Sequence, residues 1–176
     1  MRLYAARAAF YRGWAMAGQE RGEEGIAEMC RAISALGTSQ SIGSYYVALG
    51  ESYGNNGRPE EGLAAVAQGL REGEQAGERA FTAEFHRVKG ELLLMRDPPD
   101  EVEGERCFRL AIDTARAQSA RLLELRAASD LARLFKRQGK TAEARAMLAA
   151  IYGWFTEGFE FPDLKDAKAL LEELGA

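Results

Sequence analysis

A small residue flanked by apolar side chains recurs along this chain at a nearly constant interval, and a chain of this kind buries its apolar faces by stacking copies of one unit. The clearest copy runs from Tyr46 through Leu49, Gly50, Tyr53, Gly57, Pro59, Gly62 and Leu63 to Val66, Gly69 and Leu70. Apolar or small residues stand at helical spacing on both sides of Asn55-Asn56-Gly57, which predicts two helices joined by a tight turn. Pro59 suits the first turn of the second helix, where a missing N–H costs nothing, and Glu60 and Glu61 favour the positive end of its dipole.

The arrangement recurs at Gly13 with Gly25, Gly90 with Gly104, and Ala132 with Ala144. In the first helices the small residues are spaced by 37, 40 and 42 positions, and in the second helices by 37, 42 and 40. Glycine inside a helix costs about 0.5–1 kcal/mol relative to alanine. Repeating that cost at one offset predicts a close helix–helix approach that a Cβ would prevent. The interval predicts four helical hairpins over residues 3–37, 40–76, 79–118 and 121–155, with the Asp97-Pro98-Pro99-Asp100 turn absorbing the extra residues of the third. Leu164, Ala167, Leu170, Leu171 and Leu174 then predict an amphipathic capping helix over 163–175, its apolar face on the last hairpin and its charged face in water.

Composition agrees with helices. Val, Ile and Thr supply only 4, 5 and 5 residues of 176, which disfavours sheet. The predicted class is all-α, a single domain over 1–176. A chain of this length buries about 68–70% of its unfolded surface and needs no disulfide or structural metal. The longest apolar stretch, Ala146 to Phe155, has ten residues, against about 20 for a membrane span. Nothing near Met1 resembles a signal sequence, so no membrane association and a cytoplasmic location are expected. The net charge of −4 argues against a nucleic-acid partner. That charge is distributed in blocks: residues 1–105 carry 11 basic and 17 acidic side chains, 106–145 carry 10 and 4, and 146–176 carry 2 and 6.

Leu49-Gly50, Tyr53, Gly57, Gly62 and Leu70 resemble the tetratricopeptide repeat, with its Leu-Gly pair, an aromatic three residues on, a turn glycine and a small residue in the second helix. The fourth copy keeps Leu131-Ala132, Phe135, Gly139 and Ala144, whereas Arg12 and Lys89 precede the small residue in the first and third. The longer interval, the Phe85 to Leu93 segment and the closing Tyr152 to Lys165 stretch are similar to the repeat region of bacterial multidomain signalling proteins. There such repeats follow a cyclase or helix-turn-helix part and an ATPase. No residue here belongs to those parts. The resemblance implies a right-handed α-solenoid whose first helices line a concave groove, working as a non-catalytic module for a protein or peptide partner.

In that register the groove takes Phe10 and Trp14 from the first hairpin, Ser44, Val47, Glu51 and Asn55 from the second, and Glu84, Arg87, Glu91 and Met95 from the third. The fourth adds Arg126, Arg133 and Arg137, with Lys136 adjacent. The groove would pass from aromatic through mixed to basic, which suits a peptide with one apolar and one acidic end. Leu3, Tyr4, Phe10 and Tyr11 would form an unsealed end through which the chain self-associates, as a homodimer. A small effector held between repeats is the alternative ligand.

Chemistry-bearing patterns are few. His86 is the one histidine and reads as a packing residue, and Cys30 and Cys107 read as buried thiols without a CxxC pair. Gln138-Gly139-Lys140-Thr141 resembles the end of a phosphate loop, but Leu134 stands where that loop needs glycine. Glu60-Glu61 and Glu101, Glu103 and Glu105 read as solvated helix starts. No catalytic residue, metal site or cofactor is expected.

Overall fold

The computed structural model describes residues 2–19, 21–37 and 42–175, and all regular structure among them is helical. The helices are α1 (Arg2–Ala17), α2 (Gly22–Leu36), α3 (Ile42–Asn55), α4 (Pro59–Gln75), α5 (Thr82–Leu94), α6 (Glu101–Ala117), α7 (Arg121–Arg137), α8 (Thr141–Tyr152) and α9 (Pro162–Glu173). The hairpins α1–α2, α3–α4, α5–α6 and α7–α8 fall within two or three residues of the predicted repeats, except that the predicted start at 40 lies outside the described residues.

Local chemistry sets the ends. Pro59 and Pro162 open α4 and α9 at the position where a missing N–H is harmless. Asp100 caps α6, its Oδ1 accepting from the Glu103 N–H at 3.1 Å. Gly57 and Gly139 take left-handed backbone (φ +71° and +76°) in the α3–α4 and α7–α8 turns, so the Gly139 stretch is a hairpin turn.

The glycine pairs meet as the interval predicts. A Cβ on Gly25 would stand 2.5 Å from the Gly13 carbonyl oxygen and 2.4 Å from the Ala17 nitrogen. One on Gly62 would stand 3.1 Å from the Gly50 oxygen, and one on Gly104 would meet Gly90 oxygen at 3.5 Å and Leu94 at 2.9 Å. In the fourth hairpin Ala132 and Ala144, both fully buried, hold the corresponding positions.

Each odd-numbered helix also packs against the next odd-numbered one, whereas among the described residues the backbones of the even-numbered helices stay apart, α6 and α8 meeting through the ends of Arg109 and Glu143 at 3.9 Å. The odd helices therefore form one continuous layer and the even helices back it singly. The interior divides into two apolar cores. One is built from α1 to α5 around Phe10, Met29, Ile42, Val66 and Val88, and the other from α6 to α9 around Phe108, Leu125, Leu131, Phe135 and Leu148. On α9 and at its C-cap, Leu164, Ala167, Leu170 and Leu174 are buried, each leucine contributing about 1.5–3 kcal/mol.

Candidate functional site

The residues read as groove-lining separate into three groups. Phe10 and Val47 lie in the core, at 2% and 8% exposure, and this corrects their assignment to an open surface. Phe10 stacks edge-on against Tyr45 at 4.6 Å between centroids, because the side of α1 carrying it faces α3. The same contact removes it from the expected self-association end, where Leu3, Tyr4 and Tyr11 are exposed. Trp14 is exposed on the odd layer, and Asn55 and Met95 line hollows beside it.

Glu51, Glu84, Arg87 and Glu91 come together in one charged cluster with Asp130. Arg87 is buried at the middle of it: Nε donates to both oxygens of Glu84 (3.2 and 3.1 Å), Nη1 to Glu91 (2.8 Å) and Asp130 (3.2 Å), and Nη2 to Glu51. Burial alone would lower the guanidinium's pKa, and the four carboxylates outweigh it and raise it. Burial likewise pushes Asp130 up against the pull of Arg87 and Arg133, and pushes Glu91 up to about 7 despite Arg87.

The basic stripe on α7 is answered by α9. Arg126 donates to both oxygens of Asp163, Arg133 bridges Asp130 at 2.8 Å and Asp166, and Lys136 Nζ reaches Glu173 at 2.7 Å. The acidic side chains expected to meet water on the capping helix are therefore in part ion-pair partners. Arg137 is exposed and holds no ion pair among the described residues. Arg126 and Arg133 have raised pKa values, the first chiefly through its hydrogen bond to Asp163, the second because Asp166 and Asp130 overcome its burial.

Among the described residues, four hollows are distinguished along this layer. The first, about 280 Å³, is lined by Trp14, Ser52 and Asn55; the second, about 300 Å³, shares those three and adds Glu91 and Met95. The largest, about 720 Å³, shares Glu91 and Met95, with Phe108, Leu134 and Leu170 as apolar floor and Lys136 and Arg137 at its edge. The fourth, about 380 Å³, lies among Glu51, Arg87, Arg126, Ser129, Asp130, Arg133, Asp163 and Asp166.

Ser129, Asp130, Asp163 and Asp166 were not singled out from the sequence. Their signal is the repeat interval: Arg126 and Asp163 are 37 residues apart, as are Lys136 and Glu173. His86 is half-buried with its pKa lowered by that burial; Cys107 is buried, whereas Cys30 is only partly so, its Sγ 3.6 Å from the Tyr53 hydroxyl. Among the described residues no group of three or more His, Cys, Asp or Glu is placed to hold a metal ion, and no helix is long and apolar enough to cross a membrane. Comparison with known proteins finds no matching family model, curated protein or solved structure.

Proposed function

We propose that the chain is a right-handed tetratricopeptide-like solenoid and a non-catalytic interaction module. Its odd-helix layer receives an extended segment of a protein partner, apolar toward Trp14 and acidic toward Arg137. The observation that carries this reading is the unbroken run of hollows from Trp14 past Asn55 and Met95 to Lys136 and Arg137, each sharing lining residues with the next. Trp14 offers a large half-exposed anchor at one end, and Arg137 a guanidinium with no internal carboxylate at the other. The matched glycine pairs and the continuous odd layer support the solenoid reading.

Panning a random peptide library on the immobilised chain tests it. Enriched peptides are expected to carry an aromatic or aliphatic residue and an acidic one, and Trp14→Ala or Arg137→Glu is expected to weaken them about tenfold. Binding unchanged by both variants overturns the assignment.

A second reading rests on the largest hollow alone. Its 720 Å³ volume and its floor of Phe108, Leu134 and Leu170 suit a small apolar effector bearing a carboxylate for Arg137. Loss of peptide binding on filling that hollow from its exposed rim, as in Ala169→Trp, without any small-molecule ligand emerging from a fragment screen, favours the peptide.

A further inference from the structure

A further hollow, of about 570 Å³, shares no lining residue with the four on the odd layer. It opens where α4 and α6 stand apart over the start of α5, and each of these helices gives it one stripe. Leu70, Gly73 and Glu74 are spaced i, i+3, i+4 on α4, and Thr114, Ala117 and Gln118 repeat that spacing at the end of α6 and its C-cap. Thr82 and Phe85 are the stripe of α5.

The walls are tied to one another. α5 packs against both α4 and α6, and the Phe85 ring lies so close to α4 that a Cβ on Gly69 would stand 2.6 Å from it. Gln118 Nε2 donates to the Arg79 carbonyl at 2.7 Å, which joins the end of α6 to the α4–α5 turn. Gly73 and Ala117, the middle residues of their stripes, give the hollow depth, and Leu70 and Phe85 give it an apolar floor.

Its charges are unlike those around Arg87, where every lining carboxylate and guanidinium stands in an ion pair. Glu74, Glu78 and Arg79 line this hollow and hold no ion pair among the described residues, with one another or with a neighbour. Glu78 accepts from the Gly43 N–H at 3.4 Å, whereas the side chains of Glu74 and Arg79 make no hydrogen bond among the described residues. Both are rooted beside Gly73. Glu74 follows it directly, and Arg79 follows Glu78, whose N–H donates to the Gly73 carbonyl at 2.8 Å. The half-buried Thr82 and Thr114 also leave their hydroxyls without a hydrogen bond among the described residues, although the helical Ser34 and Ser52 donate to carbonyls four residues back.

We propose that this hollow binds a small zwitterion with an apolar side chain, its ammonium donating to Glu74, its carboxylate accepting from Arg79 and its side chain lying on Leu70 and Phe85. Opposite charges that line one hollow without pairing suit a molecule that carries both complements, and Glu74, one turn beyond Leu70 on the same face of α4, sets the charged head beside the apolar floor. The volume falls within the range of about 300–1,000 Å³ usual for small-molecule sites. The chemistry is shared by a free amino acid and by a dipeptide. Occupancy here does not depend on a segment bound to the odd layer.

The test is a titration of the full chain with L-leucine and with L-leucyl-L-leucine, followed by backbone amide resonances at neutral pH and constant ionic strength. N-acetyl-L-leucine, which lacks the ammonium, and L-leucinamide, which lacks the carboxylate, are the controls. The probes are expected to shift the Gly73, Gly77 and Thr114 amides saturably, and each control to bind more weakly than leucine. Glu74→Gln and Arg79→Gln, both at exposed positions, are each expected to weaken the probes about five- to tenfold. Tighter binding of leucine assigns the site to an amino acid and tighter binding of the dipeptide to a short peptide; either supports a zwitterion site. A control that binds as tightly as leucine, no saturation by either probe below about 50 mM, or affinity unchanged in either variant overturns the proposal.

Discussion

Arg126 and Asp163 meet edge to edge, Nε donating to Oδ1 at 2.8 Å and Nη2 to Oδ2 at 3.0 Å, so that the first turn of α9 is fastened to α7 by a two-point ion pair. Arg133 with Asp166 and Lys136 with Glu173 continue the contact along α9. The apolar side chains of α9 supply most of its adhesion, and the ion pairs set its register.

Breaking the first pair should therefore loosen α9 without unfolding the chain. Asp163→Asn is expected to cost about 1 kcal/mol, a modest figure because Arg126 is partly exposed. Hydrogen exchange is expected to rise in α9 while α3 and α4 keep their protection, and uniform loss across the chain would contradict that division.

Glu91 makes the cluster's stability depend on pH with a defined sign. Its pKa is raised to about 7 in the fold, so the folded chain holds a proton that the unfolded chain has released between the ordinary glutamate range and pH 7. The stability it contributes is fully present below the ordinary glutamate range and is lost as pH rises through about 7. Glu91→Gln removes this dependence: the stability of the variant relative to the parent should rise across that window and level off above it, as read by urea unfolding at a series of pH values.

The closest helix–helix contact makes Gly25 and Gly18 respond differently to the same change. Gly25→Ala drives a Cβ into the backbone of Gly13 and Ala17, whereas at Gly18 the nearest atoms lie 3.8 and 3.9 Å away. The first is expected to cost about 1–3 kcal/mol or more in chemical denaturation and the second to stay within about 0.5 kcal/mol.

Ser119 stands in left-handed backbone (φ 56°) at the α6–α7 turn, a conformation that glycine holds at positions 57, 77, 139 and 158. It is exposed and its side chain makes no hydrogen bond among the described residues. Ser119→Gly is expected to stabilise the chain by up to about 1 kcal/mol, visible as a rise of about 2–4 °C in Tm.

The exposed Tyr4 and Tyr11 and the buried Phe10 separate self-association from folding. If α1 is an association surface, light scattering across a concentration series shows a dimer that Tyr4→Glu or Tyr11→Glu converts to a folded monomer. Phe10→Glu should instead reduce helical content, because it places a charge against Tyr45 inside the core. A parent chain monomeric at every concentration would falsify the association reading.

The hairpins were legible because each rests on local signals: helical spacing of apolar residues, proline at helix starts, and small residues at a fixed offset. Phe10 and Val47 were misplaced because an odd helix has two covered sides, one against its own partner and one against the next odd helix, and a 3.6-residue period does not distinguish them from an open face. The arginines of α7 were found, but not their partners. Asp163, Asp166 and Glu173 lie about one repeat interval downstream, and pairing across repeats depends on how neighbouring units stack. The basic block at 106–145 and the acidic one after it foreshadowed the match without naming the pairs.

The division of the interior into two apolar cores has a mechanical consequence. Across the odd layer, the junction between them is spanned by Arg87 with Asp130 and by Arg126 with Glu84. Phe108 packs over Gly90 and Leu94 over Gly104 at the same junction, so the α5–α6 hairpin ties the two cores by apolar contact and the ion pairs brace the odd layer beside it. A load applied to the ends is carried across the middle by both, and because Arg87 and Glu84 are buried, the ionic share falls little as salt rises.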